Sequence, residues 1–266
     1  METWVIVNQK GGVGKTTTAV SIADLLAESE KRTLLIDLDP HASATHYFDY
    51  EPDDLKYSIY DCLAEDDINK AFVNKTILPS SVHNLDLLPA SLSLATMDKL
   101  LGTKKGMGLR LKSVCTLIED DYDYIIIDCP PILGVLMINA LATAYRVLMP
   151  VQTEFLAIKG LDRMLKTLQM VYKQPAHYPQ TLIVPTMFDR RTKASVESLR
   201  HLRMTYPEFM WRGVIPVDTH FRDASKNHLV PTQNDPNSRG VTAYRQLVKD
   251  IKTGNINQYK TRLEAV

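Results

Sequence analysis

The chain has 266 residues, with 31 Lys and Arg against 31 Asp and Glu, so its formal net charge at pH 7 is +0. A content of 45% hydrophobic and 23% charged residues excludes a disordered, collagen-like or coiled-coil chain. The neutral balance excludes a protein that is basic over its whole surface, so nucleic-acid binding would need a local basic patch. Three cysteines, Cys62, Cys115 and Cys129, are too few for a disulfide framework and indicate a reducing compartment. We therefore expect a cytoplasmic protein.

Short apolar runs alternate with amphipathic stretches along the chain, which is typical of a parallel sheet covered by helices. The apolar runs predict strands at Thr3–Asn8, Arg32–Asp37, Leu85–Leu88, Tyr124–Asp128, Arg146–Pro150, Thr181–Thr186 and Gly213–Pro216. The amphipathic stretches predict helices near Thr16–Ser29, Leu92–Leu101, Leu109–Glu119, Leu133–Thr143, Lys159–Tyr172, Ala194–Tyr206 and Arg239–Lys252. We expect one α/β domain over residues 1–254, a mostly parallel twisted sheet with helices on both faces, and a short C-terminal tail at 255–266.

A glycine-rich loop joins the first predicted strand to the first predicted helix, with the sequence Lys10-Gly11-Gly12-Val13-Gly14-Lys15-Thr16-Thr17. Backbone N–H groups of such a loop converge at the positive end of a helix dipole, where phosphate oxygens fit. Lys15 is then placed to neutralise the β- and γ-phosphates of ATP, and the Thr16 hydroxyl to coordinate Mg²⁺. The alternative is a plain glycine turn with solvated lysines, but strand, loop and helix stand in the register of a P-loop NTPase.

One position departs from the general P-loop pattern, because Gln9 replaces the first glycine and the additional Lys10 follows it. This variant resembles the deviant Walker A box of the ParA/MinD ATPases. The resemblance implies that Lys10 reaches the phosphates held by a second subunit, so that ATP is sandwiched in a homodimer. A second cation on the phosphates would offset the charge of the transition state. The resemblance thus implies slow ATP hydrolysis that is coupled to dimerisation and works as a switch.

Two aspartates follow predicted strands next to this loop. Asp39 comes after the second strand and, by the resemblance, orients the attacking water at the magnesium site; the alternative is a helix N-cap role. His41 stands where the family usually has glutamine. Asp128 ends the run Ile125-Ile126-Ile127 and is expected to hold Mg²⁺ as the Walker B residue, together with Thr16.

Other segments resemble the family less specifically. Pro150–Ala157 matches a segment near the dimer face, and Met187, Pro216 and Asp218 lie in segments that would form the adenine pocket. Arg191, Arg222 and Lys226 are candidates for non-specific DNA contact, although a solvated charged surface is the alternative. His220 stands where DNA-binding family members have an arginine. The end of the chain, Asn255–Val266, lacks the apolar face of a membrane-binding helix, so we expect no membrane insertion.

Four stretches resemble one branch of the family in particular, the ParC proteins that place chemotaxis arrays at bacterial cell poles: Ile132–Leu141, Pro185–Thr192, Ile215–Ser225 and Ser238–Val241. This resemblance implies an ATP switch that positions a chemotaxis array at a cell pole through a ParP-like adaptor. The alternative is a chromosome or plasmid partitioning ATPase that acts on the nucleoid with a ParB-like partner. A third hypothesis is a metabolic P-loop enzyme that transfers phosphate to a small molecule.

Overall fold

The computed structural model describes residues 1–97, 107–172 and 178–255. In these ranges the chain forms seven strands, numbered β1 to β7 in chain order: Glu2–Ile6, Thr33–Asp37, Leu78–Pro79, Leu85–Leu88, Tyr124–Asp128, Arg146–Gln152 and Gln180–Thr186. They make one sheet in the order β3-β4-β2-β5-β1-β6-β7. All neighbours are parallel except β3, which runs antiparallel to β4. The predicted mostly parallel sheet is confirmed.

Eleven α-helices lie in the same described ranges, numbered α1 to α11 in chain order: Lys15–Glu28, Ser43–Tyr47, Ile59–Ala64, Lys70–Thr76, Arg110–Leu117, Val135–Thr143, Phe155–Val171, Lys193–Thr205, His220–Lys226, Pro231–Asn234 and Arg239–Thr253. Short 3₁₀ turns occur at Pro52–Asp54, Leu92–Thr96 and Met107–Leu109. Helices therefore fill most connections between the parallel strands, as such crossovers require.

Both faces of the sheet are buried, which explains why its central strands carry runs of consecutive apolar residues. In β1, Val5 belongs to one hydrophobic core, and Trp4 and Ile6 belong to the other. In β5, Ile125 and Ile127 face the first core while Ile126 faces the second. The alternation follows from the two-residue period of a strand. The expected helical layers on both faces are confirmed.

The order of the strands reverses at β1, because β2 lies on one side of it beyond β5 and β6 lies on the other. In open parallel sheets ligands bind beyond the carboxyl ends of the strands at such a point. The glycine-rich loop leaves β1 at this edge. The topology therefore puts the loop beside the ends of β5 and β6.

Three local predictions need correction. Gly213–Pro216 is not a strand of the sheet; it makes only a single bridge, between Phe188 and Pro216. The short edge strand β3 was missed, because two residues that include Pro79 carry no detectable pattern. The predicted helix Leu92–Leu101 begins as a 3₁₀ turn, and its last residues lie outside the described ranges.

The end of the predicted domain coincides with the end of a helix. α11 ends at Thr253, where Gly254 adopts a φ of 68° and closes the helix. The tail predicted at 255–266 lies outside the described residues apart from Asn255, so its separation from the domain stays a prediction. No helix in the described ranges is both long enough and apolar enough to span a membrane.

Candidate functional site

The glycine-rich loop adopts a conformation that depends on two of its glycines. Gly12 and Gly14 have φ values of 73° and 88°, in the left-handed region that residues with a side chain rarely enter. α1 begins directly after Gly14, and Thr18 N donates the first intrahelical bond to Gly14 O at 2.9 Å. The N–H groups that precede it in the first turn therefore remain free for a ligand. Thr186 holds the loop from the end of β7 through a 2.8 Å bond from its hydroxyl to Val13 O.

Lys15 and Lys10 both belong to this loop but differ in their surroundings. Lys15 is buried at 8% relative exposure, and its Nζ lies 3.4 Å from Lys10 O, across the loop. Lys10 extends away from the loop, and its ammonium makes an ion pair with Glu154, the N-cap residue of α7. One lysine thus lies inside the loop and the other lies along a neighbouring helix.

Two carboxylates meet below the loop. Asp37 and Asp128 end adjacent strands and are partners in the parallel register. Burial and the neighbouring Asp37 raise the pKa of Asp128 to about 8, against the lowering effect of the charge of Lys15. Both carboxylate oxygens of Asp128 are buried without a hydrogen-bond partner in the described part of the chain. This is the environment in which a cation stabilises a carboxylate most strongly.

The donors at this point fit Mg²⁺, which prefers hard oxygen ligands. Thr16 offers a hydroxyl, and Asp128 offers the two unpartnered oxygens. No group of three or more His, Cys, Asp and Glu side chains in the described ranges could hold a metal ion alone. A magnesium ion here would therefore take its remaining ligands from phosphate oxygens and water, as Mg²⁺ usually does.

Sequence reasoning assigned no role to Asp37, although its position at a strand end was the available signal. The carboxylate is fully buried and accepts two bonds from Thr45, from N and Oγ1, both at 2.9 Å. It also accepts the N–H of Asp39 at 3.1 Å. Burial raises the pKa of Asp37 to about 6 in spite of these bonds. Asp37 therefore fixes the segment that carries Asp39 to the sheet.

Asp39 lies at the carboxyl edge of the sheet with a partner that sequence reasoning did not assign to it. Its Oδ1 accepts the N–H of His41 at 3.0 Å and lies 2.8 Å from Nδ1 of the same histidine. The N-cap residue of α2 is Ala42, so the carboxylate of Asp39 does not cap that helix. The expected water-positioning role stays a prediction, now with His41 in direct contact.

The segments predicted to form an adenine pocket come together beyond β7. Phe188 N donates to Ile215 O at 3.0 Å, and Val217 N donates to Phe188 O at 3.1 Å, which brings Met187 close to Pro216. The methyl carbon of Met187 lies 3.9 Å from the position of a Cβ built on Gly14, so this side chain also borders the glycine-rich loop. The structure thus places Met187 next to the loop and Pro216 beside Phe188, the residue that follows Met187.

Asp218 has a second role that its sequence position did not reveal. Its carboxylate accepts the N–H of Gly240, at the start of α11, at 2.8 Å. It also lies 2.8 Å from Nδ1 of His220. These bonds lower the pKa of Asp218 against the effect of its burial, and the partnership raises the pKa of His220. The carboxylate is therefore committed to protein partners, and its backbone remains for a base.

The candidate DNA-contact residues are exposed but not equally free. Arg191 makes a two-point ion pair with Asp189, through Nε at 2.9 Å and Nη2 at 2.8 Å. Arg222 and Lys226 stand one turn apart on the exposed side of α9. Their spacing places both cations on one face of that helix.

An apolar rim, formed by residues that follow β5 and β6, borders the glycine-rich loop. These two strands flank β1 in the sheet. Ile132 and Leu133, after β5, are 68% and 45% exposed; Phe155 and Leu156, after β6, are 67% and 66% exposed. Large apolar side chains at such exposure, grouped at one edge, are typical of an interaction surface.

Comparison with known proteins identifies the family. A family model described as an AAA domain matches residues 1–181. The sporulation initiation inhibitor protein Soj of Bacillus subtilis is 37% identical over 250 residues, which cover 92% of this chain and 96% of that protein. The chromosome-partitioning ATPase Soj of Treponema pallidum is 34% identical and covers 94% of this chain and 96% of its own length.

A solved structure agrees over nearly the whole chain. Cobyrinic acid a,c-diamide synthase from Mycobacterium smegmatis, with bound ADP and magnesium, has a TM-score of 0.81 and 31% identity, and it covers 96% of this chain and 97% of its own. The same protein was also solved with an ATP analog and magnesium. The glycine-rich loop lies where the strand order of the sheet reverses. Together with this position, these matches show that the chain belongs to the AAA domain family and, within it, to the P-loop ATPases of the ParA and Soj type.

Proposed function

We propose that the protein binds and hydrolyses ATP with Mg²⁺ as a dimerising switch that positions intracellular cargo. The observation that carries this proposal is the pair of lysines on one glycine-rich loop. Lys15 lies inside the loop, and Lys10 points away from it along α7. A single nucleotide site needs only the first lysine, so the second is available to another subunit.

In this proposal the loop Gly11–Thr17 binds the triphosphate through backbone N–H groups, and Lys15 neutralises the β- and γ-phosphates. Thr16 and Asp128 hold the magnesium ion, which supplies charge neutralisation at the phosphates. Asp39 orients the attacking water at that site. Met187 and the backbone of Pro216 and Asp218 contact the adenine.

The dimer is supported by the apolar rim and by Lys10. A second copy seated on Ile132, Leu133, Phe155 and Leu156 would bury side chains that are otherwise exposed at the edge of the site. Lys10 would then leave Glu154 and contact the phosphates of the partner subunit. Because this cation arrives only with the second subunit, hydrolysis would depend on dimerisation.

Two cargoes are supported by different observations. The resemblance of Ile132–Leu141, Pro185–Thr192 and Ile215–Ser225 to the ParC branch supports a polar chemotaxis array reached through a ParP-like adaptor. The matched chromosome-partitioning ATPase supports a partitioning role on nucleoid DNA with a ParB-like partner. Of the three candidates for non-specific DNA contact, Arg222 and Lys226 make no ion pair with the described residues, and Arg191 becomes available once Asp189 releases it.

The test is gel filtration of the wild type and of Asp39→Ala without nucleotide, with ADP and with ATP. We expect Asp39→Ala to retain ATP and to elute as a dimer only with ATP, whereas Lys15→Gln binds no ATP and stays a monomer. Fast turnover with a small-molecule acceptor and no ATP-dependent dimer would instead indicate a metabolic phosphotransferase. Parallel runs with non-specific DNA, and with adaptors of the two kinds, separate the two cargoes.

A further inference from the structure

We infer that Gln9 and Thr167 are positioning residues for Lys10, an inference that rests on the proposed role of Lys10 in the switch. Gln9 occupies the place of the first glycine in the general P-loop pattern. Its side-chain Nε2 donates a 2.9 Å bond to Oγ1 of Thr167 on α7. Gln9 thus connects the glycine-rich loop to a residue of α7 that lies 158 positions further along the chain.

The stem of Lys10 lies along the same helix. A Cβ built on Gly160 would stand 3.7 Å from Cβ of Lys10, so the lysine passes over the middle of α7. Its ammonium reaches Glu154 at the N-cap of that helix, while Gln9 reaches Thr167, near the other end. Gln9 and Lys10 therefore extend in opposite directions along α7, and the backbone between them is held from both sides.

Asn8, the residue before Gln9, also fixes the backbone of this segment. Asn8 donates from Nδ2 to Pro150 O at 2.8 Å, and its Oδ1 accepts the N–H of Lys10 at 3.0 Å. The backbone of Lys10 is thus anchored to the end of β6 by Asn8 and to α7 by Gln9. A lysine side chain has a long flexible stem, so a fixed backbone restricts where its ammonium can travel.

The acceptor of the bond from Gln9, Thr167, is buried. Thr167 is 3% exposed, and its hydroxyl donates to Arg163 O at 3.0 Å while accepting from Gln9. Both functions of the hydroxyl are satisfied, and a buried hydrogen bond of this kind is stronger than one at the surface. The contact is therefore suited to hold the loop in place when Lys10 exchanges Glu154 for the phosphates of a second subunit.

The test uses two variants that keep the shape and remove the bond, Thr167→Val and Gln9→Met. In the Asp39→Ala background, we expect the ATP-dependent dimer to dissociate with a Kd about tenfold higher in analytical ultracentrifugation. ATP affinity of the monomer should stay at the level of the parent. Thr167→Ser keeps the hydroxyl, so its ATP-dependent dimer should have the Kd of the parent. Thr116→Val is the control for loss of the helical bond alone, because it removes the hydroxyl's bond to the carbonyl four residues earlier at an exposed site on α5.

A double-mutant comparison separates positioning from stability. In a Lys10→Ala chain, Thr167→Val should change the basal ATP turnover by less than about twofold, because the residue to be positioned is gone. The inference is overturned if Thr167→Val lowers the basal ATP turnover by the same factor with and without Lys10, or if Thr167→Val leaves the Kd of the ATP-dependent dimer unchanged. If Lys10→Ala itself forms the ATP dimer with wild-type Kd, the proposed function fails instead, so the two failures are distinguishable.

Discussion

Binding of Mg²⁺ and ATP should release a proton from Asp128. The pKa of this carboxyl is raised to about 8 by burial and by Asp37, so about 0.9 of the molecules carry the proton at pH 7. A cation beside the carboxylate stabilises its charged form and lowers that pKa. The group is therefore protonated in the free protein and ionised in the complex, and binding releases about 0.9 proton per site at pH 7.

The same reasoning gives the pH dependence. At pH 9 only about 0.1 of the Asp128 carboxyls remain protonated, so the proton release from this group should nearly vanish. Asp37, whose pKa is raised to about 6, is already about nine-tenths ionised at pH 7 and adds little. The pH profile of the released proton therefore reports mainly on Asp128.

Isothermal titration calorimetry measures this number directly. A non-hydrolysable ATP analog with Mg²⁺ is titrated at pH 7 and pH 9 in two buffers that differ in ionisation enthalpy. Asp128→Asn serves as the control, since protons lost by the nucleotide itself are common to both proteins. Equal proton release by the wild type and the variant at pH 7, or a wild-type number that does not fall by pH 9, would refute the reasoning.

Three further predictions concern other parts of the molecule. Asp189→Ala should free Arg191, tighten non-specific DNA binding several-fold and steepen the plot of log affinity against log salt by about one contact; an unchanged slope would remove Arg191 from the interface. Gly240→Ala would place a Cβ 2.3 Å from a ring carbon of Phe221 and should lower the free energy of unfolding by about 1–3 kcal/mol in urea titration, whereas wild-type stability would contradict that packing. Burial raises the pKa of Asp24 to about 6 from 3.8, so the protonated acid favours the fold. The protonated carboxyl should contribute about 3 kcal/mol to the free energy of unfolding below pH 3.8, and this contribution should be lost as pH rises through 6. The measurement compares the pH dependence of unfolding of the wild type with that of Asp24→Asn; parallel pH profiles of the two proteins would rule this out.

The sequence predicted the parts of the site that depend on local pattern. A buried strand, a glycine loop and a helix follow one another within residues 2–28, so the loop and Lys15 could be located without a structure. The same holds for Asp128, because it ends a run of three isoleucines that only a strand buried on both faces explains. Strand ends of this kind converge at one edge, which is why Asp39 and Asp128 were both expected beside the loop; their roles stay predictions.

Most of what the sequence did not reveal depends on contacts between distant segments. The partnership of Lys10 with Glu154 joins residues 144 positions apart, and no periodicity encodes it. Gly213–Pro216 has the composition of a strand but makes only a single bridge, between Phe188 and Pro216. Ile215 N donates to Pro185 O near the end of β7, and the remaining backbone bonds of this segment go to Phe188, in the loop after β7. The pairing of Arg191 with Asp189 is a turn contact whose geometry the residue types alone did not specify.

Three turns at the site share one local geometry, in which an aspartate contacts a basic residue two positions later: Asp39 with His41, Asp189 with Arg191, and Asp218 with His220. At each of these positions the basic side chain is paired with a carboxylate, so a positive charge there forms a dipole rather than an isolated charge. The field of a dipole falls off faster with distance than that of a single charge, and salt shortens its range further. A polyanion would be attracted by these turns only at close contact, after the pairs separate. Their contribution to encounter from a distance would be small, and most of the long-range attraction would come from cations such as Arg222 and Lys226.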